Sequence, residues 1–238
     1  MIRMLFSSGD TKTALITVLL SLPVILLALT VHEVAHGYVA YRCGDGTAKA
    51  YGRLTLNPTK HLDLMGTLCM LLVGFGWAKP VPVNSRYFRK PKRDMVLVAL
   101  AGPVSNLLTA VVAAFIYALI TALGNDAIYR GLFFGDKMGL VLYYVATLFY
   151  LMVHMNLGLA LFNLIPIPPL DGSKILAGLL PSHLAMRYVQ IERYSGQIML
   201  IVAVLSVSGV LSILLEPLFW AREAIADGLF SLFINIFI

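Results

Sequence analysis

Apolar runs long enough to cross a lipid bilayer are the feature that most restricts how this chain can fold. The first extends from about residue 13 to residue 41, and others follow at about 95–123 and 138–165. Eighteen helical residues cover about 27 Å, nearly the thickness of the hydrocarbon core. We expect an all-α polytopic membrane protein, a helix bundle with about four to six membrane segments and a small re-entrant or β-loop region.

The composition supports a membrane environment. Hydrophobic residues make up 59% of the 238 residues and charged residues only 13%, whereas soluble domains are about 45–50% apolar. The net charge of +6 does not indicate nucleic-acid binding, because basic residues beside membrane spans set topology and meet anionic lipid head groups. Cys43 and Cys69 lack the CxxC spacing, so neither a disulfide framework nor a cysteine zinc site is predicted.

We expect residues 1–238 to form a single membrane-embedded domain. The run Leu64–Trp77 has fourteen residues and three glycines. It is too short for an ordinary crossing and fits a re-entrant or interfacial piece better. It belongs to an expected re-entrant or β region at about 48–84. Accessory C-terminal segments occupy about 196–238, with a span at about 196–215. The tail at 217–238 either crosses the membrane or lies along its surface as an amphipathic helix.

The distribution of lysine and arginine predicts the orientation of the spans. Ten of these residues lie between the first span and the one that begins near Met95, two lie at 124–137 and three at 166–194. The positive-inside rule therefore places the first and third of these loops in the cytosol. The cytosolic ends of the first and third spans should then face the same side.

Two histidines and a glutamate end the first apolar run, in LALTVHEVAHGY at 27–38. His32 and His36 are four residues apart, so on a helix both imidazoles project from one face. Glu33 lies between them, near a metal but free to take a proton from water. HExxH on a helix is a zinc hydrolase signature, and ionisable residues inside a membrane are usually functional.

A catalytic zinc site needs a third protein ligand and an open position for water. FNLIPIPPLDGSKIL at 162–176 has three prolines that end a helix at membrane depth, where free backbone is tolerated only if it is buried or lines a cavity. Asp171 follows on the predicted side of His32 and His36 and would complete a His₂Asp set. The alternative is that Asp171 caps the helix that begins near Ser173.

Three motifs together resemble the site-2 protease family of intramembrane zinc metalloproteases: HEVAH at 32–36, AGPVSN at 101–106 and NLIPIPPLDG at 163–172. They occur in the family's order, within about residues 13–175. The resemblance implies one zinc ion per chain held by His32, His36 and Asp171, with Glu33 as catalytic base. It also implies that Asn163 lies near the metal, where its amide would stabilise an oxyanion; the alternative is that Asn163 ties down the backbone freed by Pro166. No PDZ or CBS-type appendage is evident, so the chain resembles a minimal form.

Other polar residues are accessory candidates. His61 either reaches the site as a ligand or transition-state donor, or is a surface histidine. His154 either replaces Asp171 as third ligand or makes bundle-facing hydrogen bonds. Asn106 follows Gly102 and Pro103, and we expect it to support packing or backbone rather than chemistry.

A substrate helix must unwind before its peptide bond can be cleaved, and an extended strand then needs hydrogen-bond partners. The stretch GFGWAKPVPVN at 74–84 could supply an edge strand by β-augmentation. We expect the substrate-binding residues to be Gly74, Gly76, Trp77, Val81 and Val83.

The predicted function is intramembrane zinc endopeptidase activity on peptide bonds within or near transmembrane segments. The expected partners are transmembrane protein substrates and the lipid bilayer, without nucleic acid. The expected location is a bacterial or archaeal cell membrane, as a multi-pass protein with its active site near the cytosolic face. The alternatives are a membrane metal transporter and a membrane zinc hydrolase that acts on a non-peptide amide.

Overall fold

The structure, a computed structural model, describes residues 11–73 and 76–237 and is almost wholly helical in that part. Its helices are α1 (Thr11–Arg42), α2 (Thr47–Ala50), α3 (Leu64–Val73), α4 (Pro91–Phe134), α5 (Lys137–Asn163), α6 (Asp171–Leu179), α7 (Ser182–Val189), α8 (Ser195–Ser208), α9 (Val210–Leu214) and α10 (Glu216–Phe237). Short 3₁₀ turns occupy Pro58–Lys60, Ser85–Tyr87 and Gln190–Tyr194. The predicted all-α polytopic membrane fold is confirmed.

Helices α4 and α5 form a long hairpin that is the centre of the bundle. The connection is only two residues, because Gly135 takes a left-handed φ of +74° and the Asp136 carboxylate accepts hydrogen bonds from the first amides of α5. A Cβ on Gly131 or Gly139 would collide with the main chain of the opposite helix, so the two glycines allow close contact. The residues at 124–134, expected in a loop, therefore extend α4.

The three long helices α1, α4 and α5 meet through small side chains. The fully buried positions of α4 and α5 include a series of alanines: Ala110, Ala113, Ala114, Ala118 and Ala160. Small residues let membrane helices approach closely enough for van der Waals packing to hold them. Large apolar side chains on the outer faces, such as Leu108 and Val112, stay exposed, as expected for a surface in contact with lipid.

Four helical stretches are long and apolar enough to cross a membrane: Leu15–Arg42, Pro91–Phe134, Lys137–Asn163 and Ser182–Ser208. The last one joins α7, a 3₁₀ turn and α8. It ends at Gly209, whose φ of +80° lies in the left-handed region. The span expected at 196–215 is thus interrupted at residue 209 and begins earlier along the chain.

Helix α10 lies lengthwise against the core rather than apart from it. Glu223, early in this helix, is beside His154 of α5, whereas Phe230, two turns later, stacks on Tyr150 with ring centroids 5.5 Å apart. Residue numbers rise along α10 as they fall along α5, so the helices are antiparallel. Helix α10 is not among the four stretches that are long and apolar enough to cross a membrane, and whether 217–238 crosses or lies along the surface stays a prediction.

The region at 48–84 contains less β structure than expected. Among its described residues there is no strand, and the one β-bridge pairs Leu62 with Ala78. Pro80 and Pro82 lack the N–H groups that a ladder requires, which explains why the pairing stops after the bridge. Helix α3, with ten residues, is about 15 Å long and too short to cross the bilayer.

Candidate metal centre

Three side chains from two separate parts of the chain meet beside residues 98–106 of α4. His32 Nε2 lies 3.0 Å from His36 Nε2, and Asp171 Oδ2 lies 3.0 Å from the former and 3.1 Å from the latter. All three side chains are buried, and the group can hold a metal ion. The predicted meeting of the HEVAH end of α1 with the residues that follow α5 is what the structure shows.

The outer ring nitrogens of both histidines face hydrogen-bond acceptors. His36 Nδ1 is 2.7 Å from the carbonyl oxygen of Val98, and His32 Nδ1 is 2.6 Å from Asn106 Oδ1. The Asn106 amide is oriented by its nitrogen, which donates to Ala28 O at 3.1 Å and to Asn156 Oδ1 at 2.7 Å. Each Nδ1 is therefore the protonated nitrogen, and each Nε2 presents a lone pair in the neutral ring.

Two nitrogen lone pairs and a carboxylate oxygen consequently face one another in a buried space. Three acceptors within about 3 Å repel one another unless a cation or a proton lies between them. Atoms at these separations lie about 1.7–1.8 Å from the centre of their triangle, so His32, His36 and Asp171 would fit an ion with zinc's bond lengths of about 2.0–2.2 Å. The donor set fits zinc, and a fourth position remains for water or substrate.

Gly102 of α4 forms one wall of this space. A Cβ at this position would lie 2.5 Å from His36 Nε2 and 2.6 Å from His32 Nε2. Since ordinary non-bonded contacts are about 3.5–4.0 Å, only glycine allows α4 to pass so close to the two nitrogens. Asn106 is one helical turn further along the same face, so Gly102 and the Asn106 amide both face the histidines.

Asp171 is the first residue of α6, and its carboxylate bonds the histidines rather than capping the helix, whose N-cap is Leu170. Gly172 packs on the carbonyl groups of Leu164 and Ile165, where a Cβ would collide. The start of α6 is therefore fixed against the end of α5.

Glu33 is half-buried and has a partner outside the motif. Its Oε2 accepts a hydrogen bond of 2.7 Å from the main-chain N–H of Val81. Gly37, one turn further along α1, leaves room for the Val81 side chain, because a Cβ there would come within 3.0 Å of it. The segment at 76–84 thus contacts α1 directly beside Glu33.

The other residues expected to bind substrate have different surroundings. Trp77 is exposed and Gly76 half-buried, and Gly74 lies outside the described residues. Val83 packs against the small cluster of Ala40, Phe88 and Val98.

Three further polar candidates do not join the metal group. Asn163 donates from Nδ2 to the carbonyl of Leu159 at 3.0 Å. His154 faces Glu223 at 3.5 Å, so it makes the bundle-facing contacts that were one of its two expected roles. His61 is not a surface residue: it is buried, and its Nε2 bonds the carbonyl oxygen of Thr55 at 2.9 Å.

Asn106 supports the main chain of α1 through Ala28 O, in line with the backbone role expected for it, and it also orients His32, which was not expected. The signal was present in AGPVSN, since a glycine and an asparagine four residues apart share a helix face. Val98 contributes a main-chain oxygen, which no side-chain pattern could reveal.

Comparison with known proteins agrees with the motifs. Residues 20–206 match Peptidase family M50. The chain is 43% identical over 216 residues to "Putative zinc metalloprotease YwhC" of Bacillus subtilis, covering 90% of each chain. It is 32% identical over 155 residues to "Putative zinc metalloprotease Rip2" of Mycolicibacterium smegmatis, covering 62% of this chain and 52% of that protein. No solved structure matches the chain.

The family match covers well over half of the chain and includes HEVAH and AGPVSN as well as the LDG stretch that carries Asp171. The resemblance predicted from these motifs is confirmed. The chain belongs to peptidase family M50, the site-2 protease family of membrane metalloproteases.

Proposed function

We propose that the protein is an intramembrane zinc endopeptidase that hydrolyses peptide bonds within or near the transmembrane segments of other proteins. One observation carries the proposal: two imidazole lone pairs and a carboxylate oxygen converge within 3.0–3.1 Å, while both outer nitrogens are bonded to acceptors. Such a set favours a bound cation, and His₂-carboxylate with an open fourth position is a donor set of catalytic zinc.

The end of α1 supports a site near the rim of the membrane. Tyr38 and Tyr41 are exposed, and their hydroxyl groups bond Arg42 Nη1 at 3.1 Å and Lys49 Nζ at 3.3 Å. Tyrosine beside arginine or lysine is typical of the membrane–water interface. His36 precedes Tyr41 by five residues, about 7.5 Å along the helix. The excess of basic residues in this loop favours the cytosolic face of a cell membrane.

The chemistry assigns a separate task to each side chain. His32, His36 and Asp171 would hold zinc, which supplies Lewis acidity towards water and the scissile carbonyl group when it is bound. Glu33 accepts a proton from the attacking water and later donates it to the leaving amine. Asn163 has a second N–H besides the one bonded to Leu159, and that hydrogen would be donated to the developing oxyanion.

The segment at 76–84 is the proposed substrate-binding surface. A substrate helix that unwinds exposes its main-chain N–H and C=O groups. The free main-chain groups of this segment can form hydrogen bonds with them, so that the substrate is added as a strand. The Val83 N–H and C=O have no partner among the described residues. Val81 and Val83, with Gly74, Gly76 and Trp77 before them, would line the cleft.

The decisive experiment compares wild type with Glu33→Gln in purified form. The substrate is a panel of single-span proteins that carry a different fluorescent protein at each end, and zinc is measured by elemental analysis. We expect about one zinc per chain in both proteins and cleavage only by wild type. Glu192→Gln, an exposed glutamate of the 3₁₀ turn before α8, is the matched control and should behave as wild type. Equal cleavage by Glu33→Gln would contradict the assignment of the base.

The same proteins distinguish the alternative functions. A metal transporter would move zinc into proteoliposomes, and Glu33→Gln would not abolish that movement if the residue is no ligand. A hydrolase of lipid amides would release fatty acid from vesicles and leave every protein reporter intact. Protein cleavage without zinc uptake or lipid release supports the peptidase.

A further inference from the structure

Arg53 makes contacts that the metal-site chemistry leaves unexplained. The residue is 93% buried, and its Nη2 donates to two consecutive main-chain carbonyls, Lys79 O at 2.7 Å and Pro80 O at 3.3 Å. Its own main-chain N–H bonds Ala48 O at 2.9 Å, which ties it to α2. Arg53 therefore joins α2 to the peptide groups that directly precede Val81.

No carboxylate among the described residues neutralises the charge of this guanidinium. No acidic side chain in the described part of the chain lies within ion-pair distance of it, and its Nε is buried without a hydrogen-bond partner there. A buried cation is costly unless it is bonded, so the two carbonyl oxygens are its main compensation. If this contact broke, the guanidinium and the two carbonyl groups would lose these hydrogen bonds. The contact therefore holds the main chain in place.

The main chain of Lys79 is also held through its N–H group. Its N–H donates to His61 O at 2.8 Å, and His61 itself is buried. Five residues after Lys79, the Asn84 N–H donates to Asp45 Oδ2 at 2.6 Å. Between these fixed points the Val81 N–H has one acceptor, the Glu33 carboxylate.

We propose that Arg53 is a positioning residue: it fixes the Lys79–Val81 main chain so that the Val81 N–H holds Oε2 of Glu33. The inference rests on the proposed role of Glu33 as the base. With Oε2 engaged, Oε1 is the oxygen left to accept the proton from water, and the carboxylate cannot rotate away. Arg53 thus acts on catalysis through the main chain of the substrate-binding segment without contact with the metal ligands.

The test measures both catalysis and the backbone of the segment. Arg53→Met keeps the length of the apolar stem and removes the donors, Arg53→Lys keeps a donor, and Arg86→Met is the matched control because Arg86 is an exposed basic residue of the same loop. Each is assayed with the reporter that wild type cleaves, alongside zinc content and amide hydrogen exchange of residues 78–84.

We expect Arg53→Met to lower kcat by about 10- to 100-fold, the scale for a displaced catalytic group. KM should change by a smaller factor than kcat, zinc content should be retained, and exchange should be faster. Arg53→Lys should restore part of kcat.

A double-mutant cycle separates positioning from general damage. Val81→Pro removes the N–H that bonds Glu33, whereas Val81→Ala retains it. If Arg53 acts through this N–H, the double variant Arg53→Met with Val81→Pro loses no more activity than the worse single variant. Multiplicative losses, a fall in zinc content that parallels kcat, or unchanged exchange in Arg53→Met would overturn the proposal. If wild type cleaves no reporter, the proposed function fails, and the exchange data alone still decide whether Arg53 fixes the segment.

Discussion

Gly102→Ala gives the sharpest test of the metal centre, because the structure predicts how large its effect is. The new Cβ would lie 2.5 Å from His36 Nε2 and 2.6 Å from His32 Nε2. Relaxing these contacts to about 3.5 Å requires a movement of about 1 Å. A displacement of that size costs about 100-fold when it affects a reacting group, and overpacking of this kind costs about 1–3 kcal/mol of stability. We expect the zinc affinity of Gly102→Ala to fall by about 100-fold and cleavage to fall at least as much.

The assay is zinc competition against a chelator of known affinity, with thermal unfolding of the metal-free protein measured in the same detergent. Gly124→Ala is the control on the same helix, since its Cβ would lie 3.4 Å from Leu142 Cδ1, an ordinary contact. That variant should bind zinc as wild type does. Wild-type zinc affinity in Gly102→Ala would refute the placement of α4 against the histidine nitrogens.

Three other substitutions test the surroundings of the site and the packing of the bundle. Asn106→Leu removes the acceptor of His32 Nδ1 and should weaken zinc binding by about 10–100-fold in the same competition assay. Burial works against the charged form of Asp45, but hydrogen bonds from main-chain amides and a hydroxyl outweigh this effect and lower the pKa of Asp45. The Asp45→Asn protein should therefore unfold at a lower temperature than wild type at neutral pH. That difference should shrink as the pH falls below about 4, because wild type then loses the contribution of the ionised group. Ala226→Leu places a large side chain at a fully buried position of α10 and should cost about 1–3 kcal/mol in thermal unfolding, whereas Gly228→Ala, with open space around it, should be neutral.

The membrane fold was predictable because apolar run length depends only on the local sequence. Bilayer thickness converts such a run into a helix without any knowledge of its neighbours. Helix ends were less predictable: α4 continues to Phe134 through residues that are polar enough to suggest a loop. The turn that follows depends on Gly135 and Asp136. Other glycines occur in the same run, so the sequence did not show which glycine would end the helix.

The site divides in the same way between local and distant information. The histidines four residues apart follow from helical periodicity alone, and Glu33 follows from the motif. Asp171 and the orientation of His32 depend on contacts between residues more than 70 positions apart, and those contacts form only because Gly102 lacks a side chain. The α1–α4 packing contact and the metal centre are therefore one arrangement: a change that separates the two helices also separates His32 from Asn106. We conclude that stability of the bundle and affinity for the metal should fall together for substitutions at this contact, and independently of each other for substitutions on α10.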